Sequence, residues 1–209
     1  MPVPLHLVDH PLAHDALVTL RDKRTTQEHF RQASSRLSLL LVGEALRDLP
    51  TTALTVETPL GPADGRRVGR DVVVVPVLRA GLGMLEAVLE LVPTARVGHI
   101  GLQRDEMTAV ASQYYSKLPG SLDQSYVLMI DPMLATGGSA VAALDLLERA
   151  GARTIRLVCI VAAPEGVALV ARHHPTVDIY TPVVDRELNA HKYIVPGLGD
   201  FGDRLYGTV

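Results

Sequence analysis

Residues 126–139 read Tyr-Val-Leu-Met-Ile-Asp-Pro-Met-Leu-Ala-Thr-Gly-Gly-Ser, an apolar run that ends in an acid and turns through hydroxyl and glycine residues into a helical pattern. Gly137 and Gly138 let successive backbone N–H groups point inward with no Cβ in the way, while Thr136 and Ser139 add hydroxyl donors. The helix that follows turns its positive end to the same place. These groups together make a seat for a phosphate monoester. Asp131, at the strand tip, is placed to accept hydrogen bonds from the vicinal hydroxyls of a phosphorylated ribose. A plain strand-to-helix turn explains Thr-Gly-Gly-Ser taken alone, but the acid-tipped apolar strand ahead of it favours the sugar phosphate.

Other nucleotide and catalytic signatures are missing or misplaced. No Gly, four residues, Gly-Lys-Ser/Thr string occurs, which removes the usual handle for ATP hydrolysis. Gly197, Gly199 and Gly202 match Gly-x-Gly-x-x-Gly, yet no strand precedes them and only seven residues follow. Gly81 and Gly83 follow an apolar run, but Glu86 stands where the third glycine belongs. His10 and His14 have i, i+4 spacing with Pro11 between them and no third ligand nearby, which argues against a metal site. His173 and His174 end a helical pattern, where a cation suits the dipole, and Cys159 reads as a core residue. No Ser-His-Asp set or carboxylate pair can be assigned from spacing.

The elements that position these residues follow from length and patterning. The chain has 209 residues, 47% hydrophobic, 21% charged and 4% aromatic, with no Trp and a formal net charge of -3. That size suits one domain, and the apolar share excludes disorder. Scarce aromatics and the absence of a positive excess leave no footprint for nucleic acid. A lone cysteine excludes internal disulfides, and no apolar run resembles a signal peptide or a membrane span, so a cytoplasmic protein is expected.

The opening quarter reads as helices: Thr25 with Glu28 is a capping-box pattern, and Phe30, Ala33, Leu37, Leu41 and Ala45 recur at helical spacing until Pro50. Residues 52–70, punctuated by Pro59, Gly61, Pro62 and Gly65, read as a β flap. Strands are expected at 71–78, 95–102, 126–130, 154–162 and 177–184, with helices at 82–91, 139–150 and 164–173. This grammar predicts an α/β fold with a doubly wound, mainly parallel five-stranded sheet. Ligands of such sheets bind beyond the carboxyl ends of the strands, which points to the residues just after Leu78, Leu102, Ile130 and Val184. Residues 103–124 show no clear element and carry Arg104, Asp105, Glu106, Tyr114, Tyr115 and Lys117, so a mobile active-site lid is expected there.

Three segments resemble the uracil branch of the type I phosphoribosyltransferases. They are residues 77–84 (Val-Leu-Arg-Ala-Gly-Leu-Gly-Met), residues 131–139, and residues 193–204 (Tyr-Ile-Val-Pro-Gly-Leu-Gly-Asp-Phe-Gly-Asp-Arg). Pro132 is telling, because most type I enzymes carry a second acid there. The resemblance implies the type I fold and transfer of the phosphoribosyl group of 5-phospho-α-D-ribose 1-diphosphate to uracil, giving UMP and diphosphate. Loss of diphosphate leaves an oxocarbenium-like sugar and gathers charge on the leaving group, so cations matter more than a strong base. Arg79, where Gly81 lets the backbone approach a diphosphate, and Arg104, at the start of the lid, are the candidates; with Asp131 they form the expected catalytic set.

Contacts to the phosphoribosyl diphosphate are expected from those three and from Pro132, Met133, Leu134, Ala135, Thr136, Gly137, Gly138, Ser139 and Asp200. The family pattern carries over Ile194, Gly199, Asp200 and Phe201 as uracil contacts. An irregular segment containing Pro196, Gly197 and Gly199 suits backbone groups that match uracil's donor between two carbonyls and that go unpaired against cytosine. Mg2+ is the expected cofactor, bridging diphosphate and ribose hydroxyls with Asp200 as a further contact and no direct protein ligand assigned. A homodimer or higher homo-oligomer is expected, as is a GTP effector whose site no residue marks. Residues 107–113 are more apolar than in many relatives. Two rival readings are an RNA-binding regulator of pyrimidine genes on the same fold, which the charge does not support, and a transferase for another base.

Overall fold

The computed structural model describes residues 4–104 and 111–208. Its elements are β1 (Leu5–Leu7), α1 (Pro11–Arg21), α2 (Gln27–Ala45), β2 (Thr51–Thr58), β3 (Gly61–Val68), β4 (Val72–Leu78), α3 (Leu82–Leu91), β5 (Arg96–Val97), β6 (His99–Arg104), β7 (Ala111–Lys117) and β8 (Tyr126–Ile130). There follow β9 (Met133–Leu134), α4 (Gly138–Arg149), β10 (Thr154–Val158), β11 (Val161–Ala162), α5 (Pro164–His173), β12 (Asp178–Thr181), β13 (Glu187–Leu188), β14 (Ile194–Val195) and α6 (Phe201–Tyr206).

The apolar run of β4 does not alternate with polar residues because both of its faces are covered. Val72 and Val74 join a core with Phe30, Leu37, Met84 and Phe201, under α2, α3 and α6. Val73, Val75 and Val77 join a second core with Leu144, Leu147 and Val170, under α4 and α5. The sheet runs β1-β12-β10-β8-β4-β6-β7. Its pairings are parallel except that of β6 with β7. Pro76 has no N–H to donate and falls where β4 changes partner from β5 to β6.

The α/β class with a mainly parallel sheet is as the sequence predicts; the strand inventory is larger. β1 adds an edge beside β12, in a segment that reads as helical from sequence. Three residues are too few for a periodicity to show. The stretch after Gln103 is not without structure: β6 continues to Arg104, and β7 returns beside it in antiparallel fashion. The cap of α2 is Thr26, whose hydroxyl accepts from the His29 N–H at 3.4 Å. Thr25 instead donates its hydroxyl to the Thr19 carbonyl at 2.6 Å, so the capping box with Glu28 does not form. Residues 51–68 make a two-stranded hairpin with almost every side chain exposed. At the other sheet edge His6 stacks on Tyr180 with ring centroids 4.4 Å apart. Nearby Arg156 pairs with Asp178 and Asp48, and burial together with Asp48 pushes the Tyr126 hydroxyl up to about 12.

Candidate active site

The carboxyl ends of β4 and β8 and the tail of the chain enclose a cavity of about 330 Å³. Ala80, Asp131, Met133 and Ala135 form one wall. His191, Lys192, Tyr193, Ile194 and residues 199–202 form the other. Strand order explains the placement, since β4 and β8 are neighbours in register and end together, with Pro76 opposite Ile130.

Asp131 leaves β8 with its N–H donating to the Val158 carbonyl at 3.2 Å, and one carboxylate oxygen accepts from the Met133 N–H at 3.3 Å. Pro132 and Leu134 are buried, and their carbonyls accept from Ile160, Val161 and Ala163, so these two support the loop from behind. Met133 and Ala135 face the cavity. Gly137 and Gly138 differ in what they allow. Gly137 has φ +85°, and a Cβ there would lie 2.9 Å from the Gly166 carbonyl oxygen of α5. A Cβ at Gly138 would meet only the Thr136 hydroxyl, at 3.8 Å, which leaves open space at the start of α4. Thr136 accepts from the Gly138 N–H at 3.5 Å, and Ser139 sits in the first turn of α4, half-buried. The N-cap of α4 is Gly137, which has no side chain to offer, and the positive end of the helix faces this loop.

Arg79 follows β4 and neighbours the cavity-lining Ala80, but its guanidinium is turned toward Asp203, 3.6 Å away, and is largely exposed. Its carbonyl accepts from the Tyr206 hydroxyl at 3.2 Å. The backbone of Arg104 ends β6; Asp105 and Glu106 lie outside the described residues. Gly81 has a reason other than approach to a diphosphate: a Cβ there would sit 2.5 Å from the Ile130 carbonyl oxygen, so the residue lets α3 start against the end of β8. On the tail side, Ile194 is buried and Asp200 caps α6 by accepting from the Asp203 N–H at 2.9 Å. The Phe201 ring is in the core, tilted on Phe30 at 5.3 Å, which leaves its main chain to face the cavity.

The family profile described as uracil phosphoribosyltransferase matches residues 7–208. A uracil phosphoribosyltransferase from Dictyoglomus turgidum is 52% identical over 203 residues, covering 97% of this chain and 98% of its own. That from Symbiobacterium thermophilum is also 52% identical, covering 97% of each. The chain belongs to the uracil phosphoribosyltransferase family. A solved protein from Aquifex aeolicus, 39% identical, superposes with TM-score 0.92 over 97% of both chains. An orotate phosphoribosyltransferase from Mycobacterium tuberculosis, solved with 5-phospho-α-D-ribosyl 1-diphosphate, is 15% identical with TM-score 0.53 over 85% of this chain and 93% of its own, a likeness of fold.

Several residues in and behind this cavity escape the sequence reading. Asp185 follows Val184, one of the strand ends singled out there, yet carries no motif; Arg21 is 164 positions away and gives no signal at all. The two form a bidentate pair at 2.6 and 2.9 Å beneath the tail. Arg204 donates to the Leu198 and Asp22 carbonyls at 2.7 Å each and to the Leu20 carbonyl, with its guanidinium 4.4 Å over the Phe30 ring. Burial in this clamp pulls the Arg204 guanidinium below its ordinary value. Lys192 lines the cavity in a left-handed conformation, φ +66°, steadied by Asn189, whose side-chain oxygen accepts from the His191 and Tyr193 N–H groups.

The carboxylates facing the cavity are Asp131 and Asp200, and among the described residues no group of three or more His, Cys, Asp or Glu is arranged to hold a metal ion. Such a donor set cannot build an all-protein cage. It fits a magnesium ion that draws most of its oxygens from a bound phosphate substrate and water.

Proposed function

We propose that this protein transfers the phosphoribosyl group of 5-phospho-α-D-ribose 1-diphosphate to uracil, forming UMP and diphosphate. The observation that carries the reading is that one cavity joins the 131–135 loop to the 194–202 tail, a sugar-phosphate seat facing a strip of irregular main chain. The amides and hydroxyls of residues 136–139 hold the 5′-phosphate, and Asp131 accepts from the ribose hydroxyls. Ile194, Gly199 and Phe201 offer main-chain groups to the base, and Asp200 touches both substrates. Arg79 is only loosely held by Asp203 and is free to turn to the diphosphate, with Arg104 as the second cation of the set. Asp131 and Asp200 are the carboxylates that would hold Mg2+, which when bound would supply neutralisation of the charge on the departing diphosphate.

In this reading the chain is one domain, with residues 52–70 a flap and 103–124 a lid that closes over the substrates. The protein works in the cytoplasm as a homodimer or larger homo-oligomer; GTP is an effector to be tested. Among the described residues no helix is long and apolar enough to cross a membrane. No observation favours the RNA-binding or other-base alternatives. Incubating purified protein with labelled uracil, phosphoribosyl diphosphate and Mg2+ tests the proposal, with cytosine, hypoxanthine and xanthine alongside. UMP formation is expected with uracil alone; no UMP with or without GTP refutes it.

A further inference from the structure

The tail between β14 and α6 is gripped from behind by side chains that do not line the cavity. Asp185, 5% exposed, accepts the Gly197 N–H at 2.8 Å through the same oxygen that receives Arg21 at 2.9 Å. Arg21 also donates to the Gly197 carbonyl at 2.9 Å. One ion pair therefore holds both polar groups of a single residue. That residue has little freedom of its own: Gly197 has φ +59°, and an added Cβ would lie 2.2 Å from the Ile194 carbonyl oxygen. Arg204 holds the next carbonyl, that of Leu198. Immediately beyond, Gly199 gives neither its N–H nor its C=O to a partner among the described residues, and it faces the cavity. The main chain is thus fixed at 197 and 198 and left open for a ligand at 199.

We infer that the Arg21–Asp185 pair is a positioning device for base recognition: it sets the place of the 194–200 main chain and so governs uracil affinity and the rejection of cytosine, with no part in holding the sugar phosphate. The inference rests on the function proposed above. A hydrogen-bonding edge rejects a wrong base only if its donors and acceptors cannot shift to suit it. A rigid backbone reader needs an external brace, and a half-buried bidentate pair supplies one because its fork fixes direction as well as distance. Replacing the carboxylate by an amide turns an NH2 group toward either the guanidinium or the Gly197 N–H, donor against donor, so the brace fails without a change of size.

The test is steady-state kinetics of wild type, Asp185→Asn and Arg21→Lys with each substrate varied, alongside thermal melting and cytosine turnover. Asp185→Asn should raise KM for uracil by about 10²-fold, the cost of a displacement near 1 Å at a reading site. KM for phosphoribosyl diphosphate should stay at the wild-type value, and the uracil-to-cytosine ratio should fall. Arg21→Lys keeps the charge but loses the fork, and should lie between; it decides the matter if Asp185→Asn does not fold. Leu144→Ala, in the core under α4, serves as the control that lowers melting temperature and leaves the ratio of the two KM values alone. Equal rises in both KM values, a fall in kcat alone, or an unchanged uracil KM in both variants overturns the inference. Wild-type protein that makes no UMP removes the functional reading itself, a result the variants cannot imitate.

Discussion

Gly166 of α5 is not itself an expected substrate contact, yet it packs directly behind the 134–137 loop and should control binding of the phosphoribosyl diphosphate. A Cβ at this position would lie 2.5 Å from the Ala135 carbonyl oxygen, 2.8 Å from that of Leu134 and 3.0 Å from Leu134 Cγ. Ordinary contact begins at 3.4 Å, so in Gly166→Ala the loop and α5 must part by about 0.9 Å along the shortest of these vectors. Two of the three obstacles are backbone, which has no rotamer to escape into. Helix propensity alone favours alanine by about 1 kcal/mol, whereas overpacking costs about 1–3 kcal/mol, so the two effects are opposite in sign. With overpacking dominant, each net kcal/mol lowers the melting temperature of a chain this size by about 2–4 °C. A shift approaching 1 Å in the phosphate seat should raise KM for phosphoribosyl diphosphate by up to ~10²-fold, with KM for uracil nearly unmoved. Initial rates with each substrate varied, paired with a calorimetric melt, measure both effects. A stabilised Gly166→Ala, or a folded one with unchanged KM for phosphoribosyl diphosphate, refutes the reasoning.

Further outcomes follow from individual groups. Asp131→Asn should lower kcat/KM for phosphoribosyl diphosphate by ~10- to 100-fold, because hydrogen bonds from the ribose to a charged acceptor contribute about 1.5–3 kcal/mol; kinetics with uracil saturating checks it. Lys192→Gly should raise melting temperature, since releasing a left-handed lysine outweighs the added chain entropy by about 0.5–1 kcal/mol; a lower melting temperature contradicts that account. Burial pushes the Cys159 thiol from its ordinary 9.0 up to about 12. Its contribution to stability is therefore intact below pH 9 and is lost as pH rises toward 12, and urea melts of wild type and Cys159→Ala should converge over that window. At pH 8 the same thiol should resist a disulfide reagent until the protein is unfolded.

Each half of the cavity is legible in the sequence because each is contiguous. Residues 126–139 carry strand, acid, hydroxyls and glycines in one stretch, and the tail keeps its prolines and glycines together. What joins the halves is not contiguous. Arg21 meets Asp185 only because β1 and α1 bring the start of the chain beside β12, and pairwise contact across such a span leaves no local pattern. The strand β7 escapes notice for another reason: Ser-Gln-Tyr-Tyr-Ser-Lys is an exposed edge with no buried face to impose alternation. Thr25 and Thr26 show the limit of capping signals, since two adjacent hydroxyls compete and the turn geometry, which sends Thr25 back to Thr19, decides between them. Gly81 and Gly166 are glycines for reasons of close backbone approach that only a folded chain reveals.

The pairing of β1 with β12 has a consequence for biosynthesis. The rim of the sheet is formed by residues 5–7 hydrogen-bonding in parallel with residues 179–181, so β1 has no strand partner until residues 179–181 have left the ribosome. At about 5–20 residues per second that interval is on the order of ten to thirty seconds. During it β1 waits unpaired; a chain lacking β1 would leave the outer edge of β12 uncovered permanently, exposing an unpaired ladder to other molecules. Deleting the first eight residues should therefore turn a monodisperse preparation into one that associates through that rim.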